Sequence, residues 1–356
     1  MMPSIKATEL ISLSKKILTA AGASDDEAEI VAKFLVNANL AGVDSHGVFT
    51  YLHNYIQGIR TGLIKPGAKI EILRETPSTA LINGNFGFGQ VTCARAMDLA
   101  IKKAGSMGVS AVAIFNCNHI GRLADYSRMA VKSGMIGFVT ANSDPCVAPY
   151  GGKKAILSTA PMSWGIPTQS EKPLIVDLAT SAVAEGKIRA TLYKREQIPS
   201  HWIVNSHGLP STNPADLYEP PLPPEQVKLA GALQPSGGYK GYALALIAET
   251  LAGALSGTGC AEDVKSLLTN GVFILVIDIT RFAPLIEFEQ CVDKLIRTVK
   301  NSPTASGFTE IRVPGEREIE EEEERSKTGI PVPETAWKAF VKLCSEYGVK
   351  VETELI

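Results

Sequence analysis

Two of the five histidines in this chain sit in polar, glycine-punctuated turns. One is His46, in Asp44-Ser45-His46-Gly47, directly after an amphipathic helical pattern. The other is His119, in Asn116-Cys117-Asn118-His119-Ile120-Gly121-Arg122, directly after an apolar run. Imidazole titrates near neutral pH, so either ring can act as a general acid or base. A lone histidine in a turn is more often a hydrogen-bonded loop residue, so neither position decides the matter by itself. Two further turns carry groups suited to an anion or a cofactor. Asn142-Ser143-Asp144-Pro145 and Val176-Asp177-Leu178-Ala179-Thr180-Ser181 each close an apolar run. Ligands of α/β proteins gather at the carboxyl ends of strands. Taken singly, each of these segments reads first as a turn or a helix N-cap, and Pro314-Gly315-Glu316 as a turn.

Several chemistries lack their residues. No Gly-x-Gly-x-x-Gly follows a strand, so the Rossmann fingerprint is missing. No phosphate-binding lysine loop, no His-Glu-x-x-His and no Gly-x-Ser-x-Gly occur. Ser45 beside His46 does not make a hydrolase pair, because adjacent side chains seldom face each other. The six cysteines are scattered with no Cys-x-x-Cys. That spacing favours reduced thiols in the cytoplasm over a disulfide framework, and no metal site is expected. A net charge of −2 disfavours a nucleic-acid surface. No apolar run approaches the roughly 18–20 residues that span a bilayer. At 356 residues, with 45% hydrophobic and 20% charged, the chain is globular and long enough for more than one lobe.

The elements that must position these residues follow from periodicity. Helical spacing covers Lys6 to Ala21, and Gly22 ends it. Ser24-Asp25-Asp26-Glu27 is a capping box that opens a second helix running toward Gly42. A third helix covers Val48 to Gly62. Strands are expected at 69–73, 79–82, 109–115, 136–141, 155–157, 174–177 and 272–277. Helices are expected at 91–105, 123–133, 242–255, 285–299 and 335–347. The 242–255 helix is apolar all round and so is expected to be buried. Residues 210–224 are proline-rich and read as a surface excursion. Glu318 to Arg325 carries six glutamates in eight residues, which reads as a solvated helix face.

Taken in order, these segments resemble one family, the type-2 malate/L-lactate dehydrogenases. That family also holds ureidoglycolate, sulfolactate and diketogulonate oxidoreductases and cyclic-imine reductases. The likeness rests on Asp44-Ser45-His46-Gly47, Gly87-Phe88-Gly89-Gln90, Asn118-His119-Ile120-Gly121, Val147-Ala148-Pro149, Asp177-Leu178-Ala179-Thr180-Ser181, Gly186-Lys187-Ile188, Gly238-Tyr239-Lys240-Gly241-Tyr242 and Pro314-Gly315-Glu316. Each is weak alone; the ordered set over nearly the whole chain is specific. The resemblance implies an α/β (α+β-like) protein whose NAD(P)-binding domain is not a Rossmann fold and has a mainly antiparallel sheet. It implies a flanking helical domain built from both termini: an N-terminal segment 1–74, a cofactor domain 75–300 and a C-terminal segment 301–356. It also implies a homodimer whose subunits complete each other's sites.

Carried across residue by residue, His46 resembles the acid/base at the substrate oxygen. Ser45 is similar to its neighbour in the relay, and Asp177 to the carboxylate that completes it. His119 aligns with a residue some members use as the base, and lies on the nicotinamide side. Ser143, Val176, Asp177, Leu178, Ala179, Lys240, Gly315 and Glu316 resemble contacts to NAD or NADP. Two departures bear on substrate. Many members carry an arginine a few residues after Ser-His-Gly, able to clamp a carboxylate. Here residues 48–53 read Val-Phe-Thr-Tyr-Leu-His, with one extra residue and no arginine. Many members read Gly-Thr-Asn-Pro where this chain reads Ser158-Thr159-Ala160-Pro161. Arg122 or Arg60 would have to take over the clamp, or the substrate differs. The expected activity is hydride transfer between nicotinamide and a 2-hydroxy acid/2-keto acid pair, with a small carboxylate as substrate. The alternatives are reduction of a cyclic imine carboxylate and a catalytically silent nucleotide-binding protein.

Overall fold

The structure is a computed structural model that describes residues 3–223, 227–264 and 268–352. Pro224, the end of the proline-rich excursion, and the last four residues of the C-terminal segment lie outside the described residues. The chain opens with a short strand β1 (Ser4–Ile5) and helices α1 (Ala7–Ala20), α2 (Asp25–Leu40) and α3 (Val48–Arg60). The capping box at Ser24 is present: the Ser24 hydroxyl accepts from the Glu27 amide, and the Glu27 carboxylate accepts from the Ser24 amide at 3.0 Å. The same carboxylate accepts from the Gly67 amide at 2.9 Å, which ties the helical layer to the approach to the sheet.

Strands β2 (Glu71–Glu75) and β3 (Thr79–Asn83) precede helix α4 (Gly89–Met107). Then follow β4 (Val109–Asn118), α5 (Ala124–Lys132), β5 (Met135–Ala141), β6 (Met162–Ile166), β7 (Leu174–Leu178) and α6 (Glu185–Lys194). Short strands β8 (Ile203–Val204), β9 (Pro210–Ser211) and β10 (Ala232–Leu233) make a small sheet. Helix α7 (Tyr239–Ala248) continues as a π-helical turn over Glu249–Ala254. The chain finishes with β11 (Thr269–Asp278), α8 (Leu285–Lys300), α9 (Glu316–Thr328), β12 (Ile330–Pro331) and α10 (Glu334–Glu346). The main sheet has the order β2-β3-β4-β11-β5-β6-β7. All its neighbour pairs are antiparallel except β3–β4.

β11 runs against both β4 and β5, and β6 runs against both β5 and β7. So β4, β5 and β7 point the same way, and their carboxyl ends share one edge of the sheet. At about 4.8 Å per neighbour, that edge is roughly 19 Å long from β4 to β7. It carries His119, Ser143 and Asp177. Helices α4 and α5 cover one face, packing Met97, Ala100, Tyr126 and Ala130 on Val112, Ile114, Val139 and Ile274. The other face packs Phe138 and Phe273 against Val147, Ile188 and Leu217. Both chain termini meet in a separate core: β1 pairs with β12, and Phe340 and Leu343 of α10 pack with Leu10, Leu35, Leu52 and Ile56.

Three sequence expectations change. Residues 155–157 form no strand; Leu157 makes only an isolated bridge to Val147, in a stretch too short and too bent for a ladder. The apolar 242–255 helix begins at Tyr239 and is not buried within the chain. Leu244, Ile247 and Leu255 are 41%, 53% and 58% exposed; the side turned into the chain carries mostly small residues, Gly241, Ala245 and Ala248, with Tyr242 and Leu251 partly buried beside them. The acidic run is more than a solvated face: Glu322 pairs with Arg128 at 2.6 Å, and Lys172 lies within reach of Glu320 and Glu323. Among the described residues no helix is long and apolar enough to cross a membrane.

The close approach of α4 to the end of β4 depends on Gly89. A Cβ built there would lie 2.0 Å from the Asn118 carbonyl oxygen and 2.4 Å from that of His119. Neither backbone can yield cheaply. Gly89→Ala is expected to lower unfolding stability by about 3 kcal/mol or more in denaturant titration. Wild-type stability in that variant would contradict the packing.

Candidate functional site

His46 is placed by a clamp on the residue before Ser45. Residues Asp44–His46 form one 3-10 turn between α2 and α3. The Asp44 carboxylate accepts from Asn39 Nδ2 at 2.6 Å and from Arg325 Nη1 at 3.0 Å. Arg325 also donates to the Asn39 carbonyl, which brings α9 onto α2. Asn39 Oδ1 accepts from the Val48 amide at 2.8 Å, at the start of α3. A Cβ on Gly47 would meet the Asn39 amide group at 2.3 Å, so only glycine fits there. The tight turn also brings neighbouring side chains face to face. Ser45 Oγ lies 3.0 Å from His46 Nδ1, contrary to the expectation for adjacent residues. The imidazole Nε2 has no hydrogen-bond partner among the described residues.

His119 is placed from the other side. Its amide donates to the Leu268 carbonyl at 2.7 Å, and its Nδ1 lies 2.7 Å from Tyr55 Oη. Gln90 Nε2 donates to the same phenol oxygen at 2.5 Å. The phenol proton therefore has one acceptor in reach, His119 Nδ1. That fixes the neutral tautomer with its proton on Nε2. Tyr51 stacks on His119 with ring centroids 4.0 Å apart and planes 6° apart. His46 lies 5.8 Å from both rings, nearly parallel to each. One helix, α3, thus supplies both Tyr51 and Tyr55 to hold the two imidazoles together.

Both histidines open onto one cleft of about 1890 Å³ along the sheet edge. The cleft also takes in Arg122, Ser143, Val176 to Ala179 and Gly315. Its walls shape the protonation states. Loss of bulk solvent lowers His46 to about 4, and the positive charge of Arg122 pushes the same way. Burial lowers His119 well below 6.5, with His46 adding to the effect. Both rings are therefore neutral at pH 7. Asp177 faces the cleft, and the protein around it raises its carboxyl to about 6. The Ala124 amide, donating to it at 2.8 Å, and Arg122 hold it down. Tyr51 is pushed up to about 12 by burial and stays protonated.

Not every residue singled out in the sequence reaches this cleft. Asp177 bonds neither Ser45 nor His46, so the relay ends at Ser45 in this arrangement. Lys240 is exposed at the first turn of α7, away from the cleft of its own chain. Glu316 is buried and accepts from the Val313 amide at 3.0 Å and from Lys300, which leaves it a structural role beside Gly315. Arg60 is exposed and bound to Glu346 and Tyr347. Ala160, where many members have asparagine, is fully buried in a left-handed conformation at φ 41°, which asparagine tolerates better. Asn39, Tyr51, Tyr55, Gln90 and Arg325 were not foreseen. Of these only Gln90 lay in a quoted motif, and the contacts that matter here, such as Arg325 to Asn39 and Tyr55 to His119, join residues 286 and 64 positions apart. Among the described residues no group of His, Cys, Asp and Glu could hold a metal ion.

The cleft is large enough for a dinucleotide. It is long, largely apolar, and carries Lys153, Lys187 and Arg189 on its wall to meet phosphate charge. Comparison with known proteins gives the family. The family profile described as malate/L-lactate dehydrogenase matches residues 5–341. A malate dehydrogenase of Pyrococcus abyssi is 38% identical over 350 residues, covering 97% of this chain and 95% of the relative. The solved sulfolactate dehydrogenase of Methanocaldococcus jannaschii has a TM-score of 0.89 at 35% identity, covering 99% of each chain. A Δ1-piperideine-2-carboxylate reductase of Pseudomonas syringae has a TM-score of 0.81 at 26% identity, covering 96% of this chain and 99% of that one.

The low His46 value has a measurable consequence. Free imidazole titrates near 6.5 and the folded ring near 4. Between those values the unfolded chain binds the extra proton, so stability is full above about 6.5 and falls as the pH drops toward 4. An NMR titration of the His46 ring in the unliganded protein should give a midpoint near 4. A midpoint at or above 6.5 would contradict the desolvated placement.

Proposed function

This chain belongs to the malate/L-lactate dehydrogenase family, and we propose that it transfers hydride between a nicotinamide dinucleotide and C2 of a 2-hydroxy acid/2-oxo acid pair. Family membership makes it an oxidoreductase of hydroxy acids. The observation that supports the finer reading most is the pairing of two neutral imidazoles in one dinucleotide-sized cleft, each held at Nδ1 and leaving Nε2 free, one as a lone pair and the other as an N–H donor. When bound, the nicotinamide supplies the hydride acceptor or donor. His119, Ser143, Val176 to Ala179 and Gly315 are the residues we assign to holding it. NAD and NADP are both compatible with that set.

The chain's own residues move the proton. With His46 Nδ1–H donating to Ser45 Oγ, Nε2 presents a lone pair to the substrate hydroxyl. It takes that proton as hydride leaves C2, and returns it in the reverse direction. His119 is fixed as an Nε2–H donor by Tyr55, so it suits an orienting hydrogen bond to the substrate oxygen better than proton abstraction. Asp177 shares the cleft and would complete the relay only by moving from the Ala124 amide toward Ser45.

We further propose a homodimer. The outer face of α7 and its π-helical extension exposes Tyr239, Leu244, Ile247 and Leu255, and Tyr150 packs edge-on against Tyr239. A contiguous apolar face of this kind marks an interaction surface. Lys240 lies on it, so its role at a cofactor requires a second copy. On this reading residues 1–74 and 301–356 form one helical unit beside the cofactor domain of residues 75–300. The relationship to a cyclic-imine carboxylate reductase supports a second reading, in which His46 protonates a substrate nitrogen.

Oxidation of NADH or NADPH, followed at 340 nm, should proceed with at least one 2-oxo acid from a panel that also holds cyclic imine carboxylates. His46→Ala should lower kcat by about 100- to 10,000-fold. Activity kept in that variant and lost in His119→Ala would move the acid/base role to His119. Turnover of imines alone would favour the second reading. In sedimentation velocity the wild type should run as a dimer and Leu244→Asp/Ile247→Asp as a monomer; a monomeric wild type would contradict the assembly.

A further inference from the structure

Arg122 follows His119 by three residues, just past the end of β4, and its side chain is 5% exposed. Among the described residues its one ion pair is with Asp125, with Nη1 3.7 Å from Oδ1, too long for a hydrogen bond. Nη1 of Arg122 and Oδ2 of Asp125 are both buried with no hydrogen-bond partner. Nothing else among the described residues bonds the guanidinium. Arginine keeps its charge in any protein environment and carries five donors in a fixed fork. A buried, unsatisfied guanidinium is costly unless a ligand completes it. This one lines the cleft, and its charge acts on both His46 and Asp177.

From this geometry we infer that Arg122 is the clamp for the substrate carboxylate, in place of the arginine missing from residues 48–53, and so determines specificity for 2-oxo acids. The inference rests on the function proposed above. Arg60 cannot serve, since it is exposed and held by Glu346 and Tyr347. A dinucleotide phosphate is the competing anion. The carboxylate is favoured because Arg122 follows His119 by three residues and its charge acts on His46, whereas Arg189, whose charge reaches Tyr51, is already paired with Glu185. A 2-oxo acid held bidentately by the guanidinium would bring its C2 carbonyl next to the imidazoles. Asp125 would back the guanidinium from behind.

The test compares wild type, Arg122→Gln and Arg122→Lys. Oxalate binding is measured by calorimetry, NADH and NADPH binding by nicotinamide fluorescence, and kcat and KM with pyruvate and with uncharged methyl pyruvate. Arg122→Gln should weaken oxalate binding and raise the KM for pyruvate about 10- to 100-fold, the range of a charge-assisted hydrogen bond. The preference for pyruvate over its ester should collapse, dinucleotide affinity should stay within about twofold, and Arg122→Lys should recover part of the loss. If Arg122→Gln leaves Asp125 alone and fails to fold, Arg122→Gln/Asp125→Asn carries the same comparison. A folded variant that binds oxalate and prefers the acid as wild type does would overturn the assignment. So would one that loses dinucleotide affinity with the acid preference intact. Oxalate binding that depends on Arg122, without turnover of any 2-oxo acid by wild type, would uphold the clamp and refute the proposed function.

Discussion

The cleft depends on how the backbone leaves β4. Asn118 Nδ2 donates to the carbonyls of Leu63, Phe86 and Gly87, backbone groups of the segments on either side of β2 and β3. The Ile120 amide donates to Asn270 Oδ1, and Asn270 in turn bonds the Asn142 carbonyl. One chain of amide groups thus joins the ends of β4, β11 and β5 to the loop that enters α4. Because it is buried and satisfied at each step, it has a single good arrangement. His119 and Arg122 inherit their positions from it.

His46 belongs to the other layer, the helices built from both ends of the chain. What joins the layers is aromatic as well as polar: α3 sends Tyr55 to bond His119 and Tyr51 to stack on it. The acidic helix α9 completes the support, since Arg325 holds Asp44 from one side while Arg128 of α5 pairs with Glu322 from the other. The two imidazoles therefore approach each other through separate scaffolds, a common way to fix geometry more tightly than a loop can. Their electrostatics follow from the same arrangement. Desolvation and the nearby guanidinium disfavour a second positive charge, which leaves an imidazole lone pair available near neutral pH.

Much of this was legible locally. The capping box, the apolar spacing of α1 to α3 and the β-branched runs of β4, β5 and β11 gave elements within a few residues of those found, because burial on one face leaves a periodic trace. The turns after β4, β5 and β7 were visible as places for chemistry. Their convergence was not, since it depends on the strand order. β6 was missed because Met162-Ser163-Trp164-Gly165-Ile166 holds a glycine and a serine that let α5 pack close, and both weaken a strand signal. Helix α7 misled for another reason: an apolar helix reads as buried whether its cover comes from the same chain or from a second one. Arg122 could be nominated from sequence. Only the three-dimensional arrangement separated it from Arg60, by showing which guanidinium already has partners.

The proposed function requires direct hydride transfer to C2 of an acid bound beside His46. The most direct test is reduction of the best 2-oxo acid with NADH or NADPH carrying deuterium on one face of nicotinamide C4, followed by mass and NMR analysis of the product. One deuterium at C2 of the hydroxy acid, from one C4 face only, is the predicted result. A product whose C2 hydrogen comes from solvent with either label would contradict the account.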